Sequence, residues 1–311
     1  MNLISDKFPV FENIRELSTR AERTVSYEHL RIIVISDKVA RSENLNNIVN
    51  FLIRNTETRR SIRVAISQGK AREAFVKRGI VKNPSLEIRE LTDNYRTTLK
   101  MAPEIKLGDM SENLTGKSSF IVQRVDTSRK EAKIAGAAAI KGDTAKIAGW
   151  LSEDELAGLN LLKGEGKNLG IITGADPESG QAMVYEIRTL KSRISPQVNG
   201  DTVSFAVDIA TEGKLREDWV YPGDTFEKDF IHRAVQATVE AIRNATEKVL
   251  SKMKKDLKVD VAGFGKKLSI KYPQMWKRMK KDWDRKFSEM QVDVKVNVKI
   301  QEFGTKGAKK G

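Results

Sequence analysis

The stretch whose residue types come nearest to a reaction site is SENLTGKS, Ser111 to Ser118. It closes on Gly116-Lys117-Ser118, the ending of a loop whose backbone N–H groups and lysine cradle phosphate at the start of a helix. Ser111 stands where such a loop has its first glycine, and the sequel SFIVQRV reads as a strand, not a helix. A nucleotide site is therefore not expected there. KGEGKNLG, Lys163 to Gly170, lacks the closing Ser or Thr and reads as a turn. The two histidines, His29 and His232, have no metal-ligand spacing, and there is no cysteine. That excludes disulfides, thiolate metal sites and a cysteine nucleophile, and a zinc site would need carboxylates for at least two ligands. No serine sits in a Gly-x-Ser-x-Gly elbow. No catalytic residue, cofactor or metal ligand is expected, and the reading is of a protein that is not an enzyme.

A second stretch bears on binding. YPQMWKRMKKDWDRKF, Tyr272 to Phe287, interleaves tryptophans and methionines with lysines and arginines. Pro273 suits a first helical position. From there Trp276, Met279, Trp283 and Phe287 follow at spacings of three, four and four, one face of a helix. Lys277, Arg278, Lys281 and Arg285 lie away from that face. Single-strand binders set exposed rings and cations on one surface, so that bases stack while phosphates are neutralised. Segregation predicts instead that the rings are core and the cations a solvated face, a candidate contact for a partner or an anionic membrane surface. No nucleic-acid partner is expected.

These segments must be positioned by a chain of 311 residues with a net charge of +14, 39% hydrophobic and 32% charged. Such a charge attracts anionic partners and does not determine fold. No apolar run approaches the ~18 residues that span a bilayer. VFENIRELSTRA reads as an amphipathic helix. LRIIVIS and SIRVAIS read as buried strands flanking a helix, a βαβ unit, and GKAREAFVKRG as a helix closed by Gly79. Pro84, Pro103, Gly108 and Gly116 mark a break and a connection. SFIVQRVD, EAKIAGAAAI and AKIAGW follow as strands, then LSEDELAGLNLL as a helix with Ser152 and Glu155 at capping-box spacing. GIITG, AMVYEIRTLKSRI and TVSFAVDIAT are further strands. A long helix runs on to KVD, and QVDVKVNVKI alternates as a half-buried strand. The expected class is α+β, with three domains of mixed sheets and helices. An N-terminal α/β domain spans 1–102, short of its first strands. A small middle α+β domain spans 103–165. A C-terminal α+β domain spans 166–303, a four-stranded antiparallel sheet packed by a long helix and shorter ones. Residues 304–311 form a flexible tail.

Several tracts in order resemble the Ger(x)C family, the C subunits of bacterial spore-germination nutrient receptors. They are Pro273, Trp276-Lys277, Lys280-Lys281, Trp283-Asp284 and Phe287 with VDVKVNVKI after them; KVDVAGFG, Lys258 to Gly265; and AGWLSEDELAGLNLLKG, which carries Trp150. EHLRIIVISDKVAR and FLIRNTETRRSIRVAIS are similar to the family's N-terminal region. Tyr272 stands where a histidine is common. The resemblance runs from Phe11 to Phe303 and implies three domains and no known catalysis. It also implies a lipoprotein held peripherally at the outer face of the spore inner membrane, in partnership with a membrane-spanning A subunit and a transporter-like B subunit. Met1 to Lys7 does not read as a signal peptide and no cysteine is present. The lipid anchor is accordingly expected of a full-length parent, and this sequence is read as a soluble part starting inside the first domain. Rival readings are a basic nucleic-acid binder and a solute-binding module for a germinant.

Overall fold

The computed structural model describes residues 12, 15–16, 19, 26–55, 57–76, 83–126, 132–165, 170–220 and 228–302. Contacts group the chain into two compact units. One comprises Met1–Thr92, Glu104–Ile134 and Ile140–Ala148, the other Asp93–Pro103, Ala135–Ala139 and Gly149–Gly311.

In the first unit the β-branched run IIVIS forms β1 (Ile32–Ser36). Helices α1 (Asp37–Ser42) and α2 (Leu45–Arg54) follow, capped by Ser36 and Asn44, whose side chains accept from the N–H of Val39 and Asn46. They cross over to β2 (Arg63–Gln68), which pairs parallel with β1, Ile33 opposite Val64. Short α3 (Ala71–Ala74) comes next, then α4 (Pro84–Asp93). Where the sequence suggested a break, Pro84 starts this helix, a position that tolerates its missing N–H. β3 (Ile105–Lys106) pairs antiparallel with β2. The expected connection after it is again helical: α5 (Leu107–Thr115) buries Leu107, Met110 and Leu114 on one stripe. β4 (Phe120–Asp126) runs parallel to β2, and β5 (Lys133–Lys141) and β6 (Lys146–Leu151) complete a six-stranded sheet ordered β1-β2-β4-β5-β6, with β3 on β2. Strands from both sides of residue 102 thus hydrogen-bond in one sheet, which supplies the partners that a lone βαβ unit lacks. Within the helix read over Phe11–Leu17, Glu12, Arg15 and Glu16 are helical, while its apolar residues Phe11, Ile14 and Leu17 and the cap at Gly79 lie outside the described residues.

In the second unit α6 (Glu153–Lys163) starts at a capping box in which Ser152 N–H donates to Glu155 Oε2 at 2.7 Å, and ends at Gly164 in the left-handed conformation. β7 (Ile171–Ala175), β8 (Ala182–Asn199) and β9 (Thr202–Asp218) pair antiparallel in succession. The hairpin between β8 and β9 turns at Gly200, φ 58°, a conformation glycine adopts without strain. α7 (Lys228–Ser251) is shorter than the sequence suggested and ends in a π turn, Lys252–Leu257, followed by Lys258 at φ 50°. Then come α8 (Phe264–Lys271), α9 (Pro273–Met279), a 3-10 turn at Lys280–Asp282, α10 (Trp283–Glu289) and β10 (Val292–Glu302).

The four strands form one sheet, β10-β9-β8-β7, but it is not all antiparallel as expected. β10 runs parallel to β9, Val292 opposite Phe205 and Val296 opposite Ile209. The alternation in VDVKVNVKI marks a half-buried strand and carries no direction. Direction follows from the connection, since a long helical crossover, unlike a hairpin, returns the chain the same way round. The inner face carries Tyr185, Ile187, Phe205, Val207 and Ile209, all buried. Phe230, Ala234 and Ala237 of α7 close a core with Met183, Leu215 and Val220.

Candidate functional site

The loop between the π turn and α8 carries Asp260, a buried carboxylate. Asp260 Oδ1 accepts from the N–H of Gly263 at 2.8 Å and of Phe264 at 3.1 Å. Oδ2 accepts from the N–H of Gly265 at 2.7 Å and from the indole Nε1–H of Trp283 at 2.9 Å. The carboxylate therefore satisfies the orphan donors at the start of α8 and ties them to α10. Its own N–H donates to Asp284 Oδ1 at 3.2 Å, a second tie to α10. Burial pushes the Asp260 carboxyl up from its usual range, against the opposing pull of Gly265, Trp283, Phe264 and Gly263. Its hydrogen-bonding capacity is spent inside the fold, which makes it a structural bolt.

Gly265 makes the arrangement possible. A Cβ there would lie 2.7 Å from Trp283 Nε1 and 3.0 Å from Trp276 Cη2, closer than side chains pack. Above the loop the rings interlock. Phe205 meets Phe264 edge-on at 5.0 Å, Phe264 lies 5.1 Å from Phe287, and Trp276 meets Trp283 edge-on at 5.1 Å.

The residues singled out in the sequence fall as follows. Trp283 and Phe287 are buried, and Trp276 and Met279 are half-buried. Pro273 is the exposed first residue of α9. Trp150 is half-buried in β6. The single helix inferred from the spacing is in fact two, broken at Lys280–Asp282. Seven residues of straight helix rise about 10 Å, so the break helps bring the two tryptophan rings into contact. Lys277, Arg278, Lys281 and Arg285 are all exposed. Arg278 pairs with Asp201 at 2.8 Å and Arg285 with Glu289 at 3.6 Å. Such solvent-exposed pairs contribute about 0–1 kcal/mol, so this face remains available to an anionic partner. Lys286 is turned inward to the carbonyls of Arg278 and Met279, both at 3.4 Å, at the end of α9.

The importance of Asp260 and Gly265 was not drawn from the sequence. The available signal was the tract VDVAGFG, an acceptor side chain a few residues before a glycine-spaced helix start. A buried ion pair was also missed. Asp176, read only as a turn residue, accepts from Ser179 Oγ at 2.6 Å and from Arg233 Nη1 at 3.0 Å, tying the β7–β8 turn to α7.

Ser111–Thr115 of the near-miss phosphate loop lie within α5, and the loop's N–H groups are consumed by its own helix. Gly116 donates to Glu112 O and Ser118 to Asn113 O, both at 2.9 Å. His29 is exposed, and exposed His232 contacts Gln236 at 3.0 Å. Among the described residues no group of three or more His, Cys, Asp or Glu could hold a metal ion. No helix among them is long and apolar enough to cross a membrane.

Two family models match the chain: "Spore germination protein N-terminal domain" over residues 6–127, and "Spore germination B3/GerAC like, C-terminal" over residues 135–304. Among Bacillus subtilis (strain 168) proteins, it is 34% identical to spore germination protein YndF over 93% of this chain and 71% of that one. Spore germination protein A3 is 31% identical over 97% of this chain and 80% of its own length. The crystal structure of the GerBC protein superposes with a TM-score of 0.73 at 26% identity, covering 92% of this chain and 83% of the other.

Proposed function

Because the chain belongs to the spore germination B3/GerAC-like family, we propose that it is a non-enzymatic C subunit of a spore germinant receptor, working by assembly with the membrane A and B subunits. The observation that carries this reading is the build of its family-motif tract. Asp260 and the rings lock α8, α9 and α10 into a rigid platform, while Lys277, Arg278, Lys281 and Arg285 stay in solvent. A rigid surface presenting cations suits docking to acidic subunit faces or to an anionic leaflet, where each Lys or Arg contributes roughly 1 kcal/mol close to the surface. The platform needs no reacting group to account for its residues. In this reading the protein lies peripherally at the outer face of the spore inner membrane, anchored by lipid in its full-length parent, and its three sequence domains are its assembly modules.

The burial of Trp283 and Phe287 speaks against a nucleic-acid interface, which needs open rings among the cations. The test is deletion of the full-length gene, followed by germination in the cognate nutrient and by co-purification from spore membranes. The expected result is loss of the nutrient response and recovery of the A and B subunits with the tagged protein. An intact response, or a tagged protein recovered without either subunit, overturns the reading.

A further inference from the structure

The first unit holds a concentration of cations that the platform does not involve. Arg31 immediately precedes β1, Arg59 lies in the approach to β2, Arg63 opens β2, Arg89 is on α4 and Lys106 ends β3. These five residues line one recess of about 240 Å³, with Leu30, Ser61 and Ile62. Its position is set by the sheet. The antiparallel register puts Arg63 opposite Lys106, and the parallel register puts Arg63 opposite Ile32, next to Arg31. Like charges facing one another across strands destabilise a sheet.

Glu104 meets Arg63 Nε at 2.6 Å and Lys106 Nζ at 3.8 Å. The Arg63 and Glu104 side chains are 12% and 8% exposed, so this pair is nearly buried and forms a fixed wall. Arg63 Nη1 also donates to Ser61 O at 3.3 Å, which orients the guanidinium. Glu104 thus serves both Arg63 and Lys106, while Arg31 and Arg59 are exposed at the rim.

Four of the five cations are arginines. The guanidinium is a planar fork that grips phosphate oxygens in pairs, and it stays charged at all working pH. The recess is smaller than the ~300–1,000 Å³ usual for drug-sized ligands, so it suits a compact anion or a headgroup. It also sits at the amino ends of β1 and β2, away from the carboxyl-end crevice where open α/β sheets bind nucleotides. We propose that this recess is a binding site for a phosphate group, carried by a soluble phosphorylated molecule or by a lipid headgroup. The inference is independent of the receptor reading, since it concerns the other unit and needs no partner subunit.

The experiment is calorimetry on the full chain at low salt with inorganic pyrophosphate, and separately with a short-chain phosphatidylglycerol kept monomeric. Arg31→Gln/Arg59→Gln removes the exposed rim cations, with thermal melting as the check on folding. Arg59→Gln alone serves if the double variant melts early. Lys277→Gln/Lys281→Gln controls for general charge. Saturable binding of either probe that falls about tenfold (~1.4 kcal/mol) in the rim variant, and stays within about twofold in the control, supports the site. Competition between the two probes then marks a headgroup, and pyrophosphate binding alone marks a soluble phosphate. No saturable binding of either probe at millimolar concentration, or equal weakening by rim variant and control, overturns it.

Discussion

Replacing Asp260 by alanine removes the acceptor shared by four N–H groups. Gly263 is half-buried, and its N–H can turn to water. Phe264 and Gly265 are buried and Trp283 is 9% exposed, so three donors stay inside without a partner. Each unsatisfied buried donor costs about 1–3 kcal/mol. Relief from carrying a buried carboxylate offsets several kcal/mol of that sum. Three such donors at about 1–3 kcal/mol each, less that relief, leave an expected net loss of about 2–5 kcal/mol. That is a large share of a domain's usual 5–15 kcal/mol. Urea unfolding followed by tryptophan fluorescence is the assay. Three of the four tryptophans (Trp219, Trp276 and Trp283) lie in the second unit outside the six-stranded sheet that holds Trp150, so the signal reports mainly on that unit. At an m-value of about 1–3 kcal/mol/M, the midpoint should fall by roughly 2 M. A loss below about 1 kcal/mol with unchanged m would show that water replaces the carboxylate freely, and the bolt would not exist.

Gly265→Ala pushes a methyl to within 2.7 Å of Trp283 Nε1. It should destabilise the same transition by about 2–3 kcal/mol, through overpacking and the lost indole bond. Trp283→Phe keeps the ring contacts and deletes the donor to Asp260, with an expected loss of about 1–2 kcal/mol in the same assay. For pH, burial raises the Asp260 carboxyl, so the folded state holds that proton more tightly than the unfolded chain, whose value is about 3.9. Its contribution is then fully present below that value and declines as pH rises through the folded-state value. The stability advantage of wild type over Asp260→Asn should accordingly shrink from acid toward neutral pH. An advantage that grows with pH would show the four donors outweighing burial. Exchanging Lys277, Arg278, Lys281 and Arg285 for glutamine should leave stability within about 1 kcal/mol and weaken sedimentation with anionic vesicles by up to about fivefold per charge. Unchanged sedimentation would remove the membrane role of that face.

The class of the fold was legible residue by residue. IIVIS and SIRVAIS flank helical stripes, Ser152 and Glu155 announce a helix start, and VDVKVNVKI declares a strand with one wet face, because period and capping are local properties of the chain. Pro84 misled because the same residue breaks a helix from inside and begins one from its first position. The long C-terminal helix was overdrawn because the π turn at Lys252–Leu257 interrupts no hydrophobic pattern.

Local pattern alone determined the α+β character, the excess of positive charge, the lack of thiol chemistry and the separation of rings from cations in Tyr272–Phe287. Tertiary structure decided the rest. It made β10 parallel to β9, drew β3 to β6 into the sheet of β1 and β2, and brought Asp260 beneath Trp283. It also gathered five cations, separated along the chain by as many as 75 positions, into one recess. Each of these depends on which distant segments meet. A sequence period records which face of an element is apolar and leaves open which partner covers it.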